Sequence, residues 1–164
     1  MKKKRETVAQ HRAKKKICKK WAEAERAGEW VLIKFYDCVI TRKAMRTKFQ
    51  KVDFWGADCV GKRIDGSHVY VQVTTGHTEA ARTRRRKLDA IPWHESDKVM
   101  LFQLDWHKNP ENARKIDWYF RIHERDHDGN WTVNNNWIYI PPLWFTAYKP
   151  EKDVSQEVEE YLPF

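Results

Sequence analysis

Residues Val99–Trp106 read VMLFQLDW, a nearly continuous apolar run. A strand of that composition has no wet face, so it belongs at the centre of a sheet covered on both sides. Ahead of it lies a second β-rich run, His68–Thr75 (HVYVQVTT), and between the two a helical stretch from Glu79 to about Ile91. Ala81, Arg84, Leu88 and Ile91 fall at helical spacing, Thr78 stands where a capping residue belongs, and Pro92 ends the helix. Strand, helix and buried strand in succession predict an α/β domain with a mixed sheet.

The flanking sequence extends this unit on both sides. Lys2 to Ala27 is rich in Lys, Ala, Glu and Arg and predicts a helix with a thin apolar stripe (Val8, Ile17, Trp21, Ala24), stopped by Gly28. Glu29 to Thr41 is dominated by β-branched and aromatic residues and predicts one long strand, or two with a kink near Asp37. Arg42 to Lys51 reads as a basic connection. A strand around Ala57–Gly61 and the His68–Thr75 strand flank Asp65-Gly66, a hairpin signal. Downstream, Ile116–His123 alternates, Asp128-Gly129 marks a tight turn, and Trp131–Ile140 supplies a partner strand, so a C-terminal β-hairpin is added to the sheet. Residues 151–164 form an acidic tail. With 164 residues and no internal repeat, one domain spanning 1–164 is expected.

The net charge of +9 is concentrated in one place. Residues 2–20 hold ten Lys/Arg against one acid, which leaves 22 basic and 22 acidic residues in the remainder. Such an arm is suited to a polyanion. The three cysteines, 18, 38 and 59, are far apart with no CxxC spacing. A disulfide framework or zinc knuckle is therefore not expected, and a reducing compartment is favoured. No apolar run approaches the roughly 20 residues that span a bilayer. A soluble, intracellular, cytoplasmic protein is the expectation.

Two stretches carry the chemistry. Val52–Val60 (VDFWGADCV) holds two acids, Asp53 and Asp58, five apart at the mouth of an apolar run, and Gln72 is the single polar residue interrupting Val69–Val73. Five cations in six residues follow on the next helix: Arg82, Arg84, Arg85, Arg86 and Lys87. Carboxylates, an amide oxygen and dense positive charge suit a metal-dependent enzyme acting on phosphodiesters. Hard Mg²⁺ takes oxygen ligands, usually one or two carboxylates plus waters. Asp58, Gln72 and the Val73 carbonyl would seat one ion, Mg²⁺ or in its place Mn²⁺, which polarises the phosphate and lowers the pKa of its water. Bland roles stand beside these. Asp58 can cap a strand or pair with an arginine, Gln72 can be a satisfied core amide, Asp53 can be structural, and an arginine run can be a solvated face. His77, His94, His107, His123 and His127 show no HxxxH or HExxH arrangement.

The series DFWGAD, VYVQVTT and ARTRRRKL, within about Asp53–Trp106, resembles the PD-(D/E)XK nuclease superfamily, and within it the Holliday-junction-resolvase-like branch. The resemblance implies a restriction-endonuclease-like mixed β-sheet flanked by helices, and Mg²⁺-dependent hydrolysis of DNA. Asp58 would be the metal-binding aspartate. Gln72 stands where the second acid is usual, and Thr74 where the lysine is. Glutamine offers one neutral oxygen and threonine no positive charge, so Lys87 or Arg84 would supply the cation, and Asp53 or Glu79 the further carboxylate. The resemblance also implies a helical glutamate before the first strand, for which Glu23 and Glu25 are the nearest residues. The expected protein is a structure-selective endonuclease acting on branched DNA in recombination. Asp58, Gln72 and Lys87 would be catalytic. Lys14, Lys15, Lys16, Arg82, Arg84, Arg85 and Arg86 would grip phosphates, and a homodimer would cut two strands symmetrically. The alternative is a nuclease-like protein that binds nucleic acid without cutting it.

Overall fold

The structure is a computed structural model that describes residues 7–46, 51–75, 77–135, 137–142 and 144, without the side chains of 15–18, 46, 51 and 52. Thr7 opens the first helix, α1 (Val8–Phe35), with a reciprocal cap: its hydroxyl accepts the Gln10 N–H, and the Gln10 side chain accepts the Thr7 N–H at 2.9 Å. Gly28 does not end this helix. Ala24, Ala27, Val31 and Leu32 form one buried stripe at helical spacing that runs through it. Gly28 is buried where α1 lies over the sheet, and a side-chain methyl would find ordinary contact distances there. A Cβ there would lie 3.5 Å from Cys59 Sγ and from Val73 Cγ2. Burial of this stripe outweighs the low helix propensity of one glycine. Residues 29–35, expected as strand, are therefore helix. The chain turns only at Asp37, which adopts a left-handed φ of 55°.

In chain order the strands are β1 (Cys38–Lys43), β2 (Met45–Arg46), β3 (Lys51–Val52), β4 (Cys59–Arg63), β5 (His68–Thr75), β6 (Lys98–Lys108), β7 (Ile116–Arg125), β8 (Trp131–Val133) and β9 (Ile138–Ile140). The second helix, α2 (Thr78–Asp89), lies between β5 and β6. Seven strands make one sheet in the order β1-β4-β5-β6-β7-β8, with β9 also on β7, and β2 and β3 form a separate ribbon. The β5–β6 pair is parallel and the other pairs are antiparallel. The sheet is thus mixed and the domain α/β, as the sequence predicts. The basic connection contains the β2–β3 ribbon. The expected partner strand over Trp131–Ile140 is split into β8 and β9, both on β7. Thr78 is the first residue of α2 rather than its cap. His77 holds that place without a side-chain bond. The acidic tail, 151–164, lies outside the described residues.

The run that opened the sequence, now within β6, sits between β5 and β7 and is buried on both faces. Met100, Phe102 and Leu104 join Val69, Val71 and Val73 of β5 and Trp118, Phe120 and Ile122 of β7 against the stripe of α1. The alternate residues, including Gln72, Thr74, Leu101 and Gln103, occupy the other face, where α2 buries Ala81 and Leu88. Gly61 of β4 is fixed by this packing. A Cβ there would overlap Cys38 Sγ and come within 2.9 Å of Cys38 Cβ. Gly61→Ala is expected to destabilise the protein by about 1–3 kcal/mol through overpacking, read as a lower denaturant midpoint with unchanged slope. An unchanged midpoint would mean that the β1–β4 layer yields freely.

Candidate functional site

The β4–β5 ladder ends at the pair Cys59↔Val71, while β5 continues to Thr75 beside β6 alone. Asp58 stands in the fork this opens. Its N–H donates to Val71 O at 2.8 Å and its carbonyl accepts the Ala44 N–H, so the backbone is held from both sides. Its carboxylate Oδ2 then takes the Val73 N–H at 3.0 Å, the donor left without a strand partner. Gln72 Nε2 donates to the same Oδ2 and to the Val73 carbonyl at 3.2 Å. Asp58, Gln72 and Thr74 are all buried. The structure therefore brings Asp58 and Gln72 together.

The Gln72 amide nitrogen lies between two oxygens, Asp58 Oδ2 and Val73 O. Two acceptors converging on an N–H₂ group make an electronegative seat of the kind that also suits a hard cation. Turning the amide would add its own oxygen to the set, and three oxygens against two would need a positive ion between them. The donors such an ion would draw on are Asp58 Oδ2, the Val73 carbonyl and the oxygen of a turned Gln72 amide. Among the described residues no three His, Cys, Asp or Glu side chains converge as a metal centre.

More acidic charge lies behind the fork. The Cys59 thiol donates to the Glu25 carbonyl at 3.2 Å. Burial pushes this thiol far up, with further contributions from the Asp58, Glu29 and Glu25 carboxylates. Glu25 is as buried as Asp58. With α1 unbroken at Gly28, Glu25 rather than Glu23 is the glutamate turned toward the sheet. Glu23 lies 3.7 Å from Lys19, one turn away along α1. Glu23 and Glu25 flank the Ala24-Ala27-Val31-Leu32 stripe at equal angles, so the spacing alone does not separate them.

Thr74 opens on a cavity of about 380 Å³ whose walls include Trp21 of α1 and Glu79, Arg84 and Lys87 of α2. Among the described residues the ion pairs of α2 are Arg82–Glu79 (3.1 Å) and Asp89–Arg125 (2.8 Å). Arg84 and Lys87 take part in neither. Arg85 packs 6.0 Å from the centre of the Trp131 ring, and Arg86 is exposed. Asp53 accepts the Gly56 N–H at 3.1 Å in an exposed turn, which is a structural use of that side chain. Lys14 is exposed on α1. Lys15 and Lys16 belong to the same helix, with side chains outside the described set.

On the same face, His123 of β7 bonds through Nε2 to Gln103 Oε1 at 2.9 Å, while its buried Nδ1 has no partner among the described residues. Burial, with Arg85 and Arg121 nearby, lowers its pKa from 6.5 to about 4. The unfolded chain therefore binds this proton before the folded one. The stability involved is complete above pH 6.5 and is lost as pH falls toward 4. Acidification across that window is expected to cost the wild type about 2 kcal/mol more than it costs His123→Leu, measured by urea unfolding at a series of pH values. Parallel losses in the two proteins would exclude His123 as the source.

No protein-family model, curated protein or solved structure matches the chain.

Proposed function

We propose that the protein is a Mg²⁺-dependent, structure-selective DNA endonuclease that acts on branched junctions. The observation that carries this is the meeting of Asp58 and Gln72 in the fork between β4 and β5, with the cations of α2 gathered around Thr74 close by. The succession α1, β1, β4, β5, α2, β6, with β5 and β6 parallel, also supports a restriction-endonuclease-like fold. A divalent cation bound there supplies polarisation of the phosphate and ionisation of water near neutral pH. Asp58 gives the seat its one formal charge, and Val73 N–H fixes which oxygen points inward. Gln72 would join the ligands through its amide oxygen. Lys87 and Arg84 take the place that Thr74 leaves without charge and face the developing negative charge on phosphate. Arg82, Arg86 and the basic turns of α1 hold the flanking backbone. The protein acts as a homodimer, because a two-fold pair of sites cuts both strands of a junction symmetrically.

A second reading, a nuclease-like protein that only binds DNA, is favoured by one observation: Gln72 turns its N–H₂ rather than its oxygen toward the Asp58 carboxylate. Incubation of the full chain with a labelled four-way junction in Mg²⁺, and again in Mn²⁺, separates the two. Cleavage in either metal, abolished by chelation, is the expected result. Salt-dependent binding without cleavage in both metals would sink the enzyme and leave the binder.

A further inference from the structure

The face of the sheet that carries Gln72 and Thr74 continues beyond the fork. Residues directly opposed in a ladder project to the same side. Thr74 is opposed by Gln103, and Gln103 by Arg121. One row further along, Asp105 is opposed by Tyr119 and Tyr119 by Tyr139. With strands about 5 Å apart, Arg121 lies roughly 10 Å across the sheet from Thr74.

Aromatic rings gather on this extension. The Trp137 ring stacks on His107 at 4.6 Å and 13°, and Tyr119 packs edge-on against Tyr139 at 5.5 Å. The Arg121 guanidinium lies 4.5 Å from the centre of the Trp137 ring. Burial lowers the pKa of His107, so this ring is neutral at pH 7 and adds no charge of its own. Tyr139 keeps 43% of its surface in solvent. Arg121 reaches Asp105 at 3.4 Å through one end of its guanidinium, and its buried Nε has no hydrogen-bond partner among the described residues. Arg85, from α2, lies near His123 on the α2 side of Arg121. A half-open aromatic shelf with cations along one edge is the pairing that single-stranded nucleic acid uses: bases stack on rings and phosphates follow the positive charge. Bases within a duplex are already stacked on each other and offer no free face.

We propose that Tyr139 and Trp137, with Arg121 beside them, receive an unpaired nucleobase and its phosphate from a single-stranded stretch next to the scissile phosphate. This inference rests on the nuclease reading for the position of the scissile phosphate, and it specifies the substrate: DNA with unpaired nucleotides at the branch point.

The test is fluorescence anisotropy of a labelled short oligodeoxythymidylate with the full chain in chelator, compared with a blunt duplex of equal length. Tyr139→Ala and Trp137→Ala are each expected to weaken oligothymidylate binding by about tenfold. Tyr139→Phe should hold wild-type affinity, and duplex binding should be unchanged in all three. Wild-type affinity in Tyr139→Ala, or equal losses on both ligands, would overturn the shelf. A second measurement needs no variant. Ultraviolet crosslinking of a bromodeoxyuridine oligonucleotide to the wild type should map to Tyr139 or Trp137, and crosslinks confined to other segments would overturn it equally. Because binding is read without metal, a wild type that never cuts would sink the nuclease and not this result. Cleavage that depends on Asp58, together with unaltered oligothymidylate affinity in Tyr139→Ala, would sink the shelf alone.

Discussion

Asp58→Asn is expected to lower junction cleavage by about 10²-fold or more while leaving the fold and DNA binding in place. Asparagine has the same shape and keeps one oxygen for the Val73 N–H, so the fork stays closed. What disappears is the carboxylate charge that would hold a hard cation in the fork. Three measurements belong together: cleavage rate, Mn²⁺ binding by the protein alone, and junction affinity in chelator. Loss of the first two with retention of the third is the expected pattern. Equal cleavage by wild type and variant would remove Asp58 from the chemistry. Loss of all three with a lowered melting temperature would make Asp58 a structural residue of the fork.

Lys87→Ala is expected to reduce the cleavage rate by about 10²-fold at saturating DNA, with substrate affinity nearly unchanged. Lys87 borders the same cavity as Thr74, and its ammonium is outside the ion pairs of α2. The decisive variant is the double change Lys87→Ala with Thr74→Lys, which returns a cation to the cavity from β5. Recovery of a substantial part of the rate is expected. A single variant within twofold of wild type, or a double variant no faster than the single, would show that Lys87 does not supply the missing charge. Arg84 would then be the remaining cation of that cavity.

The central unit was legible in the sequence because its signals are local and strong. His68–Thr75 matches the observed strand end to end, α2 lies within two residues of its expected bounds, and the apolar run at Val99 occupies the middle of the sheet. The region from Glu29 to Phe35 was misread for a physical reason. Trp30, Val31, Leu32, Ile33 and Phe35 have strand-like propensities, but helix or strand is decided there by whether Val31 and Leu32 extend the stripe of Ala24 and Ala27, a tertiary matter. Gly28 looked like a stop and is a contact point. Glu23 and Glu25 could both be named from the sequence, and only the packing of Cys59 against the Glu25 turn separates them. Asp58 and Gln72 could be named from the residues, but not that Gln72 would donate to Asp58. That depends on where β4 parts from β5. The aromatic shelf had no sequence signal at all, since its members come from three strands and a loop.

One consequence of α1 concerns mechanics. A helix of 28 residues is a rod of about 40 Å, and its residues from 8 to 14 are all exposed whereas its buried contacts begin near Ala24. The basic half is thus an outrigger rather than a tether. It holds its charges at a fixed reach from the body of the protein, and the same rod carries Glu25 and Glu29 behind the fork. A phosphate backbone caught by the outer turns would push or pull on the inner ones through continuous hydrogen-bonded backbone. On the nuclease reading, leverage of that kind would tie how DNA lies along the arm to the alignment of the fork itself.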